Sequence, residues 1–205
     1  DEPVQEYAKG IVPTVSGATW TSRGRNFDGI DDYISAGNPT SLQITGALSI
    51  IIWIQANATS LIGSRGLVNK YDAAGLQRGF SLYLSAGILQ WVISSTTDPF
   101  TGATRVSAST LSSINWYCIA AVFSPSTLQN MYLNGLLDNG TLTGSIQASI
   151  ANPSRNLAIG ANYNNSSTPN ADFFPSTIGE VLVYNRALSA DEVYHLWEVS
   201  KWRYV

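Results

Sequence analysis

The sequence predicts an all-β sandwich: two antiparallel sheets closed by one short C-terminal helix. Three observations lead there. Short runs rich in β-branched and aromatic residues recur along the chain, with Gly, Asn, Asp and Pro turn signals between them, as in a sandwich. Charged residues make up only 12% of the 205 positions, against about 25% in an average globular protein, so Ser, Thr, Asn and Gly must supply the polar surface. Residues 178–193 pack a strand, a turn and a capped helix start into one stretch.

The elements follow in order. Residues 1–10 are polar and without periodicity and read as an arm or linker; residues 11–200 read as one sandwich domain and 201–205 as a tail. Asp28-Gly29 is a hairpin signal between two short strands in residues 27–35. Residues 47–56 form a long strand with Leu48, Ile50, Ile52 and Ile54 on one face and Ile51 and Trp53 on the other, which places it centrally. Residues 66–71 and 79–85 are strands joined by a loop at 72–78, and Ala86-Gly87 turns the chain into a strand at 88–94. Residues 96–104 read as a polar loop and 116–123 as a second central strand. Asn134-Gly135 is the strongest hairpin signal, because both turn positions need positive φ. A short strand at 157–160 precedes a long polar loop at 162–175. In the closing stretch Ser189 is an N-cap, Glu192 completes a capping box, and Leu188 with Val193 can staple the helix start.

Composition excludes several functions. Net charge is −3 and no basic run exists, which argues against nucleic acid. The longest apolar run, residues 48–54, is strand-sized and broken by Ser49, so no membrane span is expected. Cys118 is the sole cysteine, which rules out an intrachain disulfide and a cysteine zinc site; within 116–123 it reads as a small buried hydrophobe. A surface this poor in charge suits an extracellular, cell-surface or virion-surface setting.

Six blocks in order resemble one family. They are Phe27-Asp28-Gly29-Ile30-Asp31-Asp32-Tyr33, the strand with Trp53, the strand 116–123, Met131-Tyr132-Leu133-Asn134-Gly135, residues 155–160, and the closing stretch 178–193. Together they are similar to the laminin G-like jelly rolls of the concanavalin A-like lectin/glucanase superfamily, over residues 18–199. The resemblance implies a jelly roll of two curved antiparallel sheets, often a secreted binding module and often with calcium. Gly179 departs from the pattern, standing where the family usually has Asp.

The residues bear on three site chemistries. The glucanase-type enzymes of the superfamily carry alternating carboxylates on one strand, E-x-D-x-x-E, which period-2 geometry brings to one face. Glu180 stands alone in its strand, and His195 lies in the terminal helix, so no catalytic site is expected. Calcium wants several oxygen ligands. Asp28, Asp31 and Asp32 crowd one turn, and Glu180 joins them if first and last strands pair as the resemblance implies. Carbohydrate needs aromatic rings beside polar groups, and Tyr71, Arg78, Trp91, Asp98 and Tyr163 are the candidates. Tyr83 is a further candidate, although aromatic residues on strands such as Tyr83 and Trp91 are usually core; Tyr163, in an Asn/Ser-rich loop, is expected to expose its ring.

The expected function is therefore a non-catalytic extracellular binding or adhesion module for a glycan or glycoprotein. The alternative is a structural or decoration subunit of a virion or extracellular filament. It would meet protein neighbours through its termini, where Trp202 and Tyr204 stand in the tail.

Overall fold

The structure is a computed structural model that describes residues 11–112 and 115–204; the arm expected over 1–10 lies outside the described residues. Two antiparallel sheets stack face to face. The first holds β1 (Thr14–Ser16), β4 (Tyr33–Ser35), β14 (Ala158–Ile159), β6 (Ser64–Asp72), β7 (Gln77–Ser85), β8 (Ile88–Ser94), β9 (Gly102–Thr110) and β13 (Asn139–Thr143), in that spatial order. The second holds β12 (Leu136–Leu137), β11 (Leu128–Leu133), β10 (Trp116–Ser124), β5 (Leu48–Gln55), β15 (Thr177–Tyr184), β3 (Gly24–Asn26) and β2 (Thr19–Thr21). The helix α1 (Ala190–Ser200) follows β15. This is the all-β sandwich that the pattern predicts and the jelly roll that the resemblance implies.

Strand alternation sorts the side chains into layers. Leu48, Ile50, Ile52 and Ile54 of β5 point between the sheets and meet Leu82, Leu84, Leu89, Trp91 and Ile93 from the other layer, all fully buried. Burying each such aliphatic side chain contributes about 1.5–3 kcal/mol. Ile51 and Trp53 point the opposite way and form a second core with Trp116, Tyr132, Leu188, Val193 and Tyr204. Helix α1 and the tail thus cover the outer face of the second sheet. The helix starts as expected: Ser189 Oγ accepts the Glu192 N–H at 3.2 Å and the Glu192 carboxylate accepts the Ser189 N–H at 2.9 Å. A bidentate hydrogen bond from Arg186 (2.9 and 2.8 Å) together with the Ser189 N–H holds the Glu192 carboxyl down at about 2.

Several local expectations hold for a stated reason. Ala86-Gly87 and Asn134-Gly135 both adopt positive φ at both positions, the type I′ geometry that matches strand twist. Asn134 is fixed further, because its Oδ1 accepts the Cys118 N–H at 3.0 Å. Cys118 is buried, and burial pushes its thiol up to about 12.

Others need correction. Asp28-Gly29 does not close a hairpin, because β3 and β4 belong to different sheets and residues 27–32 carry the chain across. Gly29 does take positive φ (78°), but what it serves is close approach: a Cβ there would sit 2.4 Å from Pro175 Cβ. Residues 102–104, read as loop, begin β9, whose Ala, Ser and Thr residues give little apolar alternation.

Candidate functional site

The outward face of the first sheet builds a cleft of about 410 Å³. Its floor follows from register. Asn69, Ser81, Val92 and Thr104 are neighbours across β6, β7, β8 and β9, so their side chains share the face opposite the core. Tyr83 adds a ring beside them, its hydroxyl donating to Gln90 Oε1 at 2.7 Å. One wall is Tyr71, Ala73 and Phe100; the other is Asn162, Tyr163 and Asp172.

The second wall is a loop laid over β6. It lies this close because of Gly66, where a Cβ would meet the Ala161 carbonyl carbon at 2.5 Å. Gly66 N–H donates to the Asp172 carbonyl at 2.7 Å, and Asn69 Nδ2 donates to the Ala161 carbonyl at 3.0 Å. Ser81 Oγ donates in turn to Asn69 Oδ1. The loop also bonds itself: Asn162 N–H donates to the Ala171 carbonyl at 2.8 Å, and Asn164 N–H to Asn170 Oδ1 at 2.8 Å.

Asp72 ties three segments together beneath the cleft. Its fully buried carboxylate accepts the Gly75 N–H at 2.8 Å, the Asn165 N–H at 2.9 Å and the Arg155 guanidinium at 2.7 and 3.1 Å. Burial favours the neutral acid, but the two backbone donors and Arg155 outweigh it and hold the carboxyl below its usual range. Arg78 is fixed similarly. It donates to the Asp98 carboxylate and to the carbonyls of Thr97 and Ala73, both at 3.1 Å.

The structure gathers some of the expected ligand residues and separates others. Tyr71, Arg78 and Asp98 meet at one rim. Tyr163 does line the cleft, but it is only 5% exposed, not the open ring its polar loop suggests. Its hydroxyl donates to the Asn156 carbonyl at 3.0 Å, Arg155 lies over its ring, and burial pushes its phenol up to about 12. Trp91 is fully buried between the sheets, so no ligand can stack on it. Sequence reasoning missed Phe100, Asn162 and Asp172. Phe100 is 45% exposed, and an aromatic residue in a polar loop was the available signal.

Asp28, Asp31 and Asp32 do come together, with one carboxylate oxygen of each within 4.8 Å of the others. Asp28 Oδ1 accepts the Ile30 N–H at 2.8 Å and Asp32 Oδ2 accepts the Asp28 N–H at 2.9 Å. Burial, with smaller contributions from Asp28 and Asp31, raises the Asp32 carboxyl. Glu180 is not part of this cluster. It sits in the β15 bulge and accepts from Arg203 at 3.1 Å. Sheet pairing does bring β15 beside β3, but through Thr177 and Ile178 rather than Glu180.

Residues 28–194 match the family model of a laminin G-like domain in the concanavalin A-like lectin/glucanases superfamily. The chain belongs to this superfamily. Among solved structures, this concanavalin A-like fold is similar to the receptor binding domain of botulinum neurotoxin C/D mosaic serotype (TM-score 0.68, 12% identity, 93% of this chain and 46% of that one). It is similar to the botulinum neurotoxin serotype D ligand binding domain solved with N-acetylneuraminic acid (0.65, 11%, 93% and 46%). It is also similar to the Ruminococcus gnavus IT-sialidase CBM40 bound to α2,3 sialyllactose (0.62, 17%, 89% and 97%). The chain spans about half the length of the toxin domains it matches. No curated protein sequence matches it.

Proposed function

We propose that this concanavalin A-like domain is a non-catalytic binding module that holds a glycan, free or on a glycoprotein, in the cleft over β6–β9 at an extracellular, cell or virion surface. The observation that carries the reading is the cleft itself. The rings of Tyr71 and Phe100 line it together with the amide, hydroxyl and carboxylate groups of Asn162, Thr104 and Asp172. Sugars use such a pairing, laying apolar faces on rings while polar groups fix hydroxyls. Two of the structural relatives were solved with carbohydrate ligands, N-acetylneuraminic acid and α2,3 sialyllactose, which favours a glycan as the partner. Asp172 is the one carboxylate among the described residues that line the cleft, whereas a glycosidase of the usual type needs a pair about 5–9.5 Å apart. Glycan-array binding by the wild type that is lost in Tyr71→Ala and Phe100→Ala, with melting unchanged, is the expected result; retained binding in both variants overturns the assignment.

A second reading rests on a different observation. Trp202 is 75% exposed beside Val199, and Leu136 and Leu137 are exposed on the edge strand β12. A decoration or filament subunit would cover such groups with protein neighbours. Concentration-dependent self-association that Trp202→Ser abolishes is the result this reading expects.

Calcium is proposed for the turn of Asp28, Asp31 and Asp32, whose three carboxylates would supply part of an oxygen shell and whose mutual repulsion a cation would relieve.

A further inference from the structure

We infer that the cleft is built for uncharged glycans and discriminates against acidic ones such as sialylated, uronate or sulfated sugars. The inference rests on the cleft being the glycan site. Its argument is the accounting of charge and of hydrogen-bonding capacity at that site.

Among the described residues, no lysine or arginine lines the cleft, and one carboxylate, Asp172, does. Two guanidinium groups in the surrounding loops, those of Arg78 and Arg155, are engaged. Arg78 is matched by the Asp98 carboxylate, with further donors on the Thr97 and Ala73 carbonyls. Arg155 is matched by the buried Asp72 carboxylate. Each pair sums to zero, so Asp172 sets the sign of the site. An acidic sugar would have to place its anion near Asp172 with no lysine or arginine among the described lining residues to meet it. Like charges a few ångströms apart, in the intermediate dielectric of a half-open cleft, cost about tenfold or more in affinity.

Hydrogen-bonding capacity points the same way. Asn162 donates through Nδ2 to Asp172 Oδ2 at 2.8 Å, which leaves Asn162 Oδ1 buried and without a partner. Asp172 adds acceptor capacity beside it. A sugar hydroxyl can donate to the Asp172 carboxylate, whereas a carboxylate or sulfate placed there brings only acceptors. The position beside Asp172 therefore favours a hydroxyl over an anionic group.

The test uses the full chain on an array of neutral glycans and their sialylated, uronate and sulfated counterparts, followed by calorimetry on matched neutral and sialylated pairs. Neutral members should bind at least tenfold more tightly than their acidic partners. Added salt should narrow the gap. Asp172→Asn should narrow it severalfold, and Asn suits the positive φ (51°) at that position. Acidic glycans bound as tightly as neutral ones, with binding lost in Tyr71→Ala, would overturn this inference and leave the cleft as the glycan site. No binding to any member would overturn the glycan reading and this inference together.

Discussion

The Tyr204 ring occupies the space that a side chain at position 179 would fill: a Cβ on Gly179 would lie 2.6 Å from that ring. The ring stacks on Trp53 with centroids 4.4 Å apart and planes 20° from parallel, and its hydroxyl accepts the Glu180 N–H at 2.9 Å. This gives a physical account of the departure from the family pattern at Gly179. Where the family usually carries Asp, this chain carries Gly and docks its own tail. Gly179→Asp should therefore act by expelling Tyr204. Overpacking of this kind costs about 1–3 kcal/mol, readable as a lower urea midpoint. Tyr204→Ala should cost about 3 kcal/mol or more, as for other large aromatic truncations. The double variant should cost less than the sum, because the ring that clashes is already gone.

Lys70 predicts a pH dependence. It is 2% exposed on the core side of β6, and its Nζ donates to the Leu42 carbonyl at 3.2 Å and Asn152 Oδ1 at 2.9 Å. Burial lowers its ammonium to about 8, against about 10.4 in an unfolded chain. Between those values the unfolded chain binds more protons, so folding stability rises with pH through that window. The full effect is about 3 kcal/mol, at 1.36 kcal/mol for each pKa unit. Cys118 and Tyr163, whose groups are raised by burial, act in the opposite sense at the alkaline end. Lys70→Met keeps those groups, so the difference between wild type and variant isolates the lysine. Urea melts at pH 7, 9 and 10.5 should show that difference shift in favour of the wild type as pH rises; a flat difference refutes the assignment.

A cation at the acidic turn would stabilise only the folded chain. Melting temperature should then rise with added calcium and fall with excess chelator, by mass action on the native state. Asp31→Asn is the informative variant. Asp31 is exposed, and no hydrogen bond to its carboxylate is found among the described residues, so its loss should leave the metal-free protein nearly unchanged. The calcium-dependent increment should disappear in that variant. Equal melting temperatures with calcium and with chelator in the wild type rule the site out.

Local signals in the sequence carried the fold well. Ser189 with Glu192 announced the helix start, and Asn134-Gly135 announced its turn, because each depends on neighbours within a few residues. Asp28-Gly29 misled because a crossover needs positive φ as much as a hairpin does, and only the partner strand distinguishes them. The site was less legible. Tyr71, Arg78 and Asp98 converge through a pairing of residues 78 and 98 that no local pattern encodes. Trp91 could have been placed: Leu89, Trp91 and Ile93 alternate with Gln90 and Val92, and the wholly apolar row is the core row. Tyr163 could not, because its burial depends on Arg155 and Asn156 closing over it from outside its own loop.

Asp72 connects stability to the cleft. Its carboxylate holds the backbone at Gly75 and Asn165 and the side chain of Arg155, so it positions both the Tyr71–Ala73 wall and the loop carrying Asn162 and Asp172. Asp72→Asn leaves Arg155 without its counter-charge and should cost about 3 kcal/mol, as when one partner of a buried pair is removed. The wild type should lose the same contribution in acid. Because the folded carboxyl lies below its ordinary range, the stabilisation is complete above the unfolded value near ~3.9 and drains away as pH falls through the folded one. Amide exchange at Asn165 and Gly75 should quicken in the variant, while exchange in β5 and β10 should change only by the global loss of stability. Glycan affinity should fall with the loosened wall even though Asp72 does not line the cleft. Unchanged exchange at Asn165 would show that the loop is held by its other bonds alone, those at Gly66 and Asn69.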